Sequence, residues 1–446
     1  MEEKISVSVV SLGCSKNQAD AEVMLYELQA GGFKLCQDPA QAQVIVVNTC
    51  GFIDDAKEEA VATVLEMAQY KKTGQCRVLA VSGCLSQRYG RELQEELPEV
   101  DIFLGVTQYP EIVLFVNRAL AGERVFDCTL HLEVAGSSRR VLTTPPWMAY
   151  LKIAEGCDNC CTYCAIPSIR GGFRSRPMEE LVEEAAWLSS QGVREIIVVA
   201  QDITRYGMDW SGISLLPRLL RNLCAIEGIH WVRLMYCYPE LVGEKLLSVI
   251  MEEPKICCYM DIPVQHCNSQ VLSAMNRRGS SDDIQKLFQK IKGLSEWIAL
   301  RTSLIVGFPG ETEAAFEELL AFVGEGRFMH LGAFVYSQEE GTAAAALPDQ
   351  VLRKDKLKRY GRIMRSQQMV SKAWGRRMVG TCHEVLVEGQ EGDRWVGRTQ
   401  YHAPDIDGKV FFDGPPNLCP GEFVWVRIIE TNEYDWIGVW ENEPGQ

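Results

Sequence analysis

The stretch AYLKIAEGCDNCCTYC, residues 149–164, places four cysteines directly after a short apolar run. The run predicts a buried strand, and the cysteines fall on the loop that follows it. Two sets of three fit this loop. Cys157, Cys161 and Cys164 have the spacing C-x-x-x-C-x-x-C, whereas Cys157, Cys160 and Cys164 have the spacing C-x-x-C-x-x-x-C. Either set crowds three thiolates onto one loop, which indicates a metal site.

Strand-like and helix-like segments alternate downstream of this loop. The candidate strands are YLKIAEG, EIIVVAQ, WVRLMYCYP, CCYMDIPVQH, LRTSLIVGF and GAFVYS, with helices expected near 178–191, 214–227, 240–252, 282–297 and 312–325. Six βα repeats predict a partial or open (β/α)6 barrel. Because such barrels keep their chemistry at the carboxyl ends of the strands, the cysteine loop lies where an active site is expected.

The first third of the chain follows the same alternation. SVSVVSLG, QVIVVNT and RVLAVSG are predicted strands, and helices are expected from about Asn17 to Ala30 and from about Asp54 to Tyr70. The pattern predicts a doubly wound parallel sheet.

One cysteine lies just past each predicted strand of this sheet: Cys14, Cys50 and Cys84. Parallel strands end along one edge of a sheet, where open α/β sheets bind ligands, so the three thiols are expected to meet. Three unrelated buried cysteines are the alternative, and the spacing alone does not decide between them. The adjacent glycines at 13, 51 and 83 would let the backbone turn tightly around a bulky inorganic group.

The C-terminal segment from residue 376 has a different character. The runs CHEVLVEG, GKVFF, FVWVRIIE and WIGVW, separated by glycine and proline, predict a small antiparallel β-barrel of OB-like type. This segment holds 6 basic and 13 acidic residues, a net charge of −7.

The preceding stretch, 352–372, is a predicted helix with eight basic residues and one acid. A solvated helix face is the favoured interpretation of that stretch, and contact with nucleic acid is the alternative.

Composition limits the class of protein. The 446 residues are enough for two or three domains, and GSSRRVLTTPP, residues 136–146, is typical of a linker. No apolar run is long enough to span a membrane, and MEEKISVSVV is not typical of a signal peptide, so a cytoplasmic protein is expected. Its 17 cysteines would then remain reduced.

The net charge of −15 disfavours generic nucleic-acid binding and favours a small molecule or a basic protein surface as partner.

The cysteine loop is better suited to an iron–sulfur cluster than to zinc. Structural zinc sites usually take four ligands, often as two separated pairs, and no second pair follows this loop. Three thiolates suit a 4Fe–4S cluster that keeps one iron open for chemistry. A zinc-stapled binding protein remains the alternative of another class.

Several motifs together resemble the methylthiotransferase family of radical S-adenosylmethionine (SAM) enzymes: SLGCSKNQADAE, VVNTCGFIDDAKEEA, AYLKIAEGCDNCCTYCAIPSIRG, RSRPMEEL, VAQDITRYG, DIPVQH and FVYSQEEGTAA. The resemblance implies an N-terminal methylthiotransferase domain over 4–120, a radical-SAM core over 143–373 and a TRAM domain over 376–446. It also implies two 4Fe–4S clusters. Cys157, Cys161 and Cys164 would hold the SAM-binding cluster and Cys14, Cys50 and Cys84 the other, which leaves Cys160 outside both sets.

The resemblance further implies the reaction. Electron transfer to SAM would yield a 5′-deoxyadenosyl radical that takes hydrogen from an unactivated carbon, and the N-terminal cluster would carry the sulfur that is methylated by a second SAM. An external electron donor is required. SAM contacts are expected from Tyr163, the aromatic residue before the last cysteine, and from Gln201 and Asp202 after the second barrel strand. Polar residues at strand ends are equally typical of local turns.

Two branches of the family differ in substrate. CGFIDDAKEE and APDIDGKVFF resemble the branch that modifies the β-carbon of an aspartate in small-subunit ribosomal protein S-twelve, free or in the ribosome. A C-terminal segment of charge −7 agrees with this, because it would repel tRNA phosphates and attract a basic ribosomal protein. We therefore expect the ribosomal protein as partner and regard tRNA adenosine methylthiotransferase activity as the alternative.

Overall fold

The computed structural model describes residues 4–131 and 139–441. Its first domain is a six-stranded parallel sheet in the order β2-β1-β3-β4-β5-β6. The strands are β1 (Ser6–Ser11), β2 (Lys34–Leu35), β3 (Val44–Thr49), β4 (Val78–Gly83), β5 (Ile102–Leu104) and β6 (Val125–Asp127). The helices are α1 (Ser15–Ala30), α2 (Asp54–Thr73), α3 (Cys84–Glu96) and α4 (Ile112–Leu120).

Helices cover both faces of this sheet, as the doubly wound prediction requires. Helices α1 and α4 pack on one face against Val44, Val46 and Ala80, and α2 packs on the other against Ile45 and Val47. Alternate residues of β3 therefore enter opposite cores, which explains why its sequence is apolar without a break. Strands β2, β5 and β6 were not predicted, because two or three residues are too few to show the hydrophobic periodicity of a strand.

The second domain is a parallel six-stranded sheet in the order β14-β13-β12-β11-β10-β7. Its strands are β7 (Met148–Lys152), β10 (Glu195–Val199), β11 (Trp231–Leu234), β12 (Ile256–Asp261), β13 (Ala299–Val306) and β14 (His330–Val335), and β8 (Ala154–Glu155) pairs with β9 (Arg174–Ser175) in a separate hairpin. The helices are α5 (Ile166–Arg170), α6 (Met178–Ser190), α7 (Met208–Ser211), α8 (Leu216–Cys224), α9 (Glu244–Glu252), α10 (Ser269–Ala274), α11 (Ser281–Leu294) and α12 (Glu313–Gly324).

This sheet is an open barrel, since its end strands β7 and β14 are not paired. Side chains on one face, such as Ile196 and Val198, pack under the helices, whereas Ile197 and Val199 face a core shared with the C-terminal domain. The predicted partial (β/α)6 barrel is therefore confirmed, and part of its interior is filled by another domain.

The C-terminal domain is a closed five-stranded barrel that follows the long helix α13 (Arg353–Met378). Its strands are β15 (Cys382–Glu391), β16 (Arg394–Thr399), β17 (Val410–Asp413), β18 (Phe423–Thr431) and β19 (Trp436–Glu441). The small barrel is confirmed, with one refinement. β17 and β19 pair in parallel, whereas the other pairings are antiparallel. Strand β16 was not predicted.

A buried polar cluster joins this barrel to the open barrel. Glu195 accepts hydrogen bonds from Arg398 at 2.6 Å and from Arg233 at 2.7 Å, and all three side chains are almost completely buried. Burial alone raises the pKa of Glu195, but the charges of Arg398 and Arg233 outweigh it and lower this pKa to about 2. The ion pair fixes the relative position of the two domains.

Two sequence interpretations need correction. In the predicted linker, 136–138 lie outside the described residues, but Arg140 is buried and bridges Glu22 of α1 to Glu184 of α6 at 2.9 and 3.0 Å. In α13, Arg359 and Lys356 are buried rather than solvated, and Arg359 pairs with Glu311 at 2.9 Å. Spacing cannot reveal such partners, because they are distant in sequence. No helix in the described parts of the chain is both long and apolar enough to cross a membrane.

Candidate functional site

Cys14, Cys50 and Cys84 lie together at the carboxyl edge of the N-terminal sheet. Cys14 caps the start of α1 just after β1, Cys50 directly follows β3, and Cys84 directly follows β4 as the first residue of α3. Since β1, β3 and β4 are adjacent and parallel, their ends meet at one place. We call these residues the N-terminal trio.

Two glycines permit this close approach. A Cβ atom added to Gly13, whose φ is +90°, would lie 2.8 Å from Cβ and 3.2 Å from Sγ of Cys50. A Cβ atom on Gly51 would lie 2.6 Å from Cα of Leu85 and 3.0 Å from the carbonyl carbon of Cys84. Any larger residue would therefore push the three cysteine-bearing turns apart, so the glycines fit a site that must gather three thiols.

Positive charge surrounds the N-terminal trio. Cys14 is exposed at the surface of the site, yet the dense surrounding protein raises its pKa by desolvation; the charges of Lys16 and Arg170 outweigh this and lower the pKa overall. Burial raises the pKa of Cys84 to about 11 despite the charge of Arg170. A cation at the trio would displace the protons of such thiols, and this donor set fits a cationic metal cluster.

Cys157, Cys161 and Cys164 lie on the loop between β8 and α5 and form the loop trio. The amide of Ile166, at the start of α5, donates to Sγ of Cys164 at 3.5 Å, and Sγ of Cys161 lies 3.3 Å from the Tyr238 hydroxyl. Burial raises the pKa of Cys157 to about 11 and that of Cys164 to about 12, and the charge of Cys161 adds to both shifts. The three thiols are therefore near enough to interact electrostatically.

Cys160 differs from the loop trio in exposure and in backbone. It is exposed, whereas the three trio cysteines are half-buried, and its φ of +47° is left-handed. Its carbonyl accepts a hydrogen bond from the Asn276 side chain at 2.9 Å, which holds the turn. These observations favour the register that omits Cys160.

The predicted SAM contacts have distinct surroundings. Both carboxylate oxygens of Asp202 accept local hydrogen bonds, one from Thr204 and the other from Asn159 at 2.9 Å, so Asp202 anchors the cysteine loop. Oε1 of Gln201 is buried and has no hydrogen-bond partner among the residues that the structure describes. A buried acceptor of this kind fits a ligand that donates a hydrogen bond. Tyr163 packs beside a small apolar cluster that contains Phe308 and Tyr336.

A buried ionic network lies between the N-terminal trio and the segments that flank the cysteine loop, and the sequence interpretation missed it. Arg170 of α5 donates to Asn17 Oδ1 at 2.6 Å, to Asp20 at 3.2 Å and to Glu155 at 2.8 Å. Lys152 pairs with the same two carboxylates. Arg170 lies within the motif AIPSIRG, which was the only available signal, but nothing in that motif indicates a partner in another domain.

Neither trio has the geometry of a site for a single ion. Within the described ranges, no three His, Cys, Asp or Glu side chains are gathered tightly enough to share one metal ion. A 4Fe–4S cluster is a larger group held by cysteine thiolates.

Three family models match the chain. Residues 6–105 match an uncharacterized protein family, UPF0004, residues 151–323 match the radical SAM superfamily, and residues 379–440 match the TRAM domain. A radical-SAM domain implies SAM and one 4Fe–4S cluster.

The chain is also similar over nearly its full length to proteins named ribosomal protein uS12 methylthiotransferase RimO. The relative from Clostridium tetani is 48% identical over 437 residues, with 98% of each chain covered. The relative from Pelotomaculum thermopropionicum is 47% identical over 445 residues, covering 97% of this chain and 99% of the relative.

Solved structures share the fold at low identity. The radical SAM methyltransferase TsrM from Kitasatospora setae is 13% identical, with a TM-score of 0.54 over 75% of this chain and 72% of that one. The cobalamin-dependent radical enzyme OxsB is 12% identical, with a TM-score of 0.51 over 81% of this chain and 56% of that one. These likenesses support the fold alone. The full-length similarity and the radical-SAM domain together show that this chain belongs to the RimO family of radical-SAM methylthiotransferases.

Proposed function

We propose that the chain, as a cytoplasmic enzyme, transfers a methylthio group to the β-carbon of an aspartate in ribosomal protein uS12, the S-twelve protein of the small subunit. The observation that carries the proposal is that the segment following the loop trio packs against the N-terminal trio, since Cys84 shares a buried cluster with Ala165 and Ile169. Arg170, six residues after Cys164 of the loop trio, lies 3.6 Å from Sγ of Cys84 in the N-terminal trio. The relatives that carry the uS12 name match 97–98% of this chain.

Each trio has a proposed role. The loop trio would hold the 4Fe–4S cluster that binds SAM, and the N-terminal trio would hold a second 4Fe–4S cluster. When bound, the clusters and SAM supply one-electron and sulfur-transfer chemistry that amino-acid side chains cannot provide. The proposed division into domains 4–120, 143–373 and 376–446 assigns one trio to each of the first two domains.

The residues of the chain would bind, orient and shield these groups. The unpartnered Oε1 of Gln201 would accept a hydrogen bond from the amino group of SAM, and Tyr163 would contact SAM from the loop. Asp202 would keep the loop in place through Asn159 and is also proposed to lie beside SAM. The buried Phe308 and Tyr336 next to Tyr163 would help to exclude water from SAM and so protect a radical from side reactions.

Charge supports a basic protein substrate over tRNA. The C-terminal segment carries a net −7, which would attract a basic ribosomal protein. In addition, Arg359 and Arg362 of the basic helix α13 are already paired with acids of the second domain, Glu311, Glu313 and Glu317. They are therefore poorly placed to bind phosphates.

One assay tests the proposal. The protein, purified without oxygen and loaded with iron and sulfide, is incubated with SAM and an external electron donor, together with free uS12, small ribosomal subunits or tRNA. We expect a methylthio mass gain on the uS12 aspartate and none on tRNA, with release of 5′-deoxyadenosine, methionine and S-adenosylhomocysteine. A gain on tRNA alone would show that the substrate is wrong. Metal analysis of the purified protein before loading tests the enzyme class, and zinc without iron or sulfide would contradict it.

A further inference from the structure

Arg170 is one of the most deeply buried charged residues in the molecule. Its side chain is 2% exposed and reaches from the second domain into the first. Nη2 donates to Asn17 Oδ1 at 2.6 Å and to Sγ of Cys84 at 3.6 Å, while Nη1 donates to Glu155 at 2.8 Å. One guanidinium thus contacts Cys84 of the N-terminal trio in the first domain and Glu155, which lies just before the loop trio, in the second domain.

The network around Arg170 is balanced without any cysteine charge. Arg170 and Lys152 supply two positive charges, and Asp20 and Glu155 supply two negative charges. Several hydrogen bonds fix the guanidinium in one orientation, so its contact with Cys84 is set by the fold and does not depend on a flexible side chain.

We propose that Arg170 is a positioning residue that holds an N–H donor and a positive charge against the Cys84 sulfur and thereby raises the reduction potential of the cluster bound by the N-terminal trio. The inference rests on the proposed function, since it requires a cluster at that trio. Hydrogen bonds to cluster sulfurs and nearby net charge set the potential of an iron–sulfur centre. A reduced cluster carries one more negative charge than an oxidised one, so a fixed cation favours reduction.

A matched control exists in Arg140. It too is a buried arginine between the two domains, paired with Glu22 at 2.9 Å and Glu184 at 3.0 Å, and its side chain is also 2% exposed. None of its contacts in the described chain involves a cysteine. Replacing either arginine by glutamine removes one buried cation from the same interface, so the two variants differ in their distance from the N-terminal trio.

The experiment uses full-length protein in which Cys157, Cys161 and Cys164 are all replaced by alanine, so that only the N-terminal trio can bind a cluster. The midpoint potential is measured by redox titration followed by electron paramagnetic resonance. We expect R170Q to shift the potential to lower values, R170K to restore part of the shift, and R140Q to leave the potential unchanged. If R170Q fails to assemble, R170Q/D20N, which removes one charge of each sign, is measured against R140Q/E22Q.

Equal potentials for the R170Q and R140Q proteins, or equal shifts in both, would overturn the inference. The iron content of the parent protein separates this from a failure of the proposed function. If the protein without the loop trio binds no iron and sulfide, there is no second cluster, and the inference falls with the proposal. If it binds a cluster whose midpoint potential does not depend on Arg170, the inference is wrong and the proposed function stands.

Discussion

Glu339 of the second domain and Arg88 of the first form a buried ion pair, with Oε2 of Glu339 3.0 Å from Nη1 of Arg88. Lys57 of α2 pairs with the same carboxylate oxygen at 2.9 Å. Arg88 also donates to the carbonyl of Gly51, the residue after Cys50, at 3.0 Å. The pair therefore ties the second domain to the turn that carries one cysteine of the N-terminal trio.

The first prediction concerns the ion pair between Glu339 and Arg88. E339Q leaves the buried Arg88 without its counter-charge and Lys57 with Asp54 alone, and we expect it to loosen the docking of the domains by about 3 kcal/mol. Hydrogen exchange should then become faster in α2 and in residues 337–342. E340Q is the control, because the adjacent Glu340 side chain is exposed. Equal protection in the two variants would contradict the role of Glu339.

The second prediction concerns the cysteine register. C161A should lose the cluster of the loop trio and all 5′-deoxyadenosine production, whereas C160A should retain both, because the proposed register omits Cys160, whose left-handed backbone and carbonyl bond to Asn276 shape the turn. Iron and sulfide content, together with the products formed from SAM, provide the measurement. The assignment fails if C160A abolishes SAM cleavage and C161A does not.

The third prediction concerns the basic helix α13. R359A breaks a buried pair with Glu311 and should destabilise the protein by about 3–5 kcal/mol, whereas R365A, at an exposed position, should change stability by less than about 0.5 kcal/mol. Urea unfolding is the measurement. A charge reversal at Arg359 would therefore report on folding, and a test for RNA contact should use the exposed Arg365 and Lys358 instead.

The fourth prediction concerns pH and Glu195. Because the folded-state pKa of Glu195 is about 2 and its unfolded value is about 4.3, ionised Glu195 stabilises the fold by about 3 kcal/mol above the unfolded pKa. That contribution is lost as the pH falls from about 4.3 towards the folded value of about 2. The stability advantage of the natural chain over E195Q should be constant from pH 7 to about 5 and shrink below that. Urea unfolding over this range checks it, and an advantage that grows on acidification would contradict it.

The sequence predicted long elements better than short ones. Continuous apolar runs such as VIVVNT and VLAVSG identified β3 and β4, because strands buried on both faces must be apolar throughout. The three-residue strands β5 and β6 and the polar β16 were missed, since their positions depend on neighbours in the sheet and not on a local period.

The same distinction holds for the candidate site. The regular spacing of Cys14, Cys50 and Cys84, one per βα unit, made a shared site plausible, because parallel strands all end on one side, and the resemblance to the methylthiotransferase family decided in its favour. For Asp202 the sequence left two roles open, a SAM contact and a local turn. Its carboxylate is seen to anchor Asn159 and Thr204, a partnership between residues up to 43 positions apart.

By itself, the sequence determined three segments of distinct fold class and placed cysteines at the ends of predicted strands, because strand periodicity and cysteine positions are local properties of the chain. Only the tertiary structure decided that Arg170 contacts Cys84, that Glu339 contacts Arg88, and that Glu195 is shared by two arginines. These contacts join residues 38 to 251 positions apart. Charges buried at domain interfaces select their partners by packing, which no local pattern encodes.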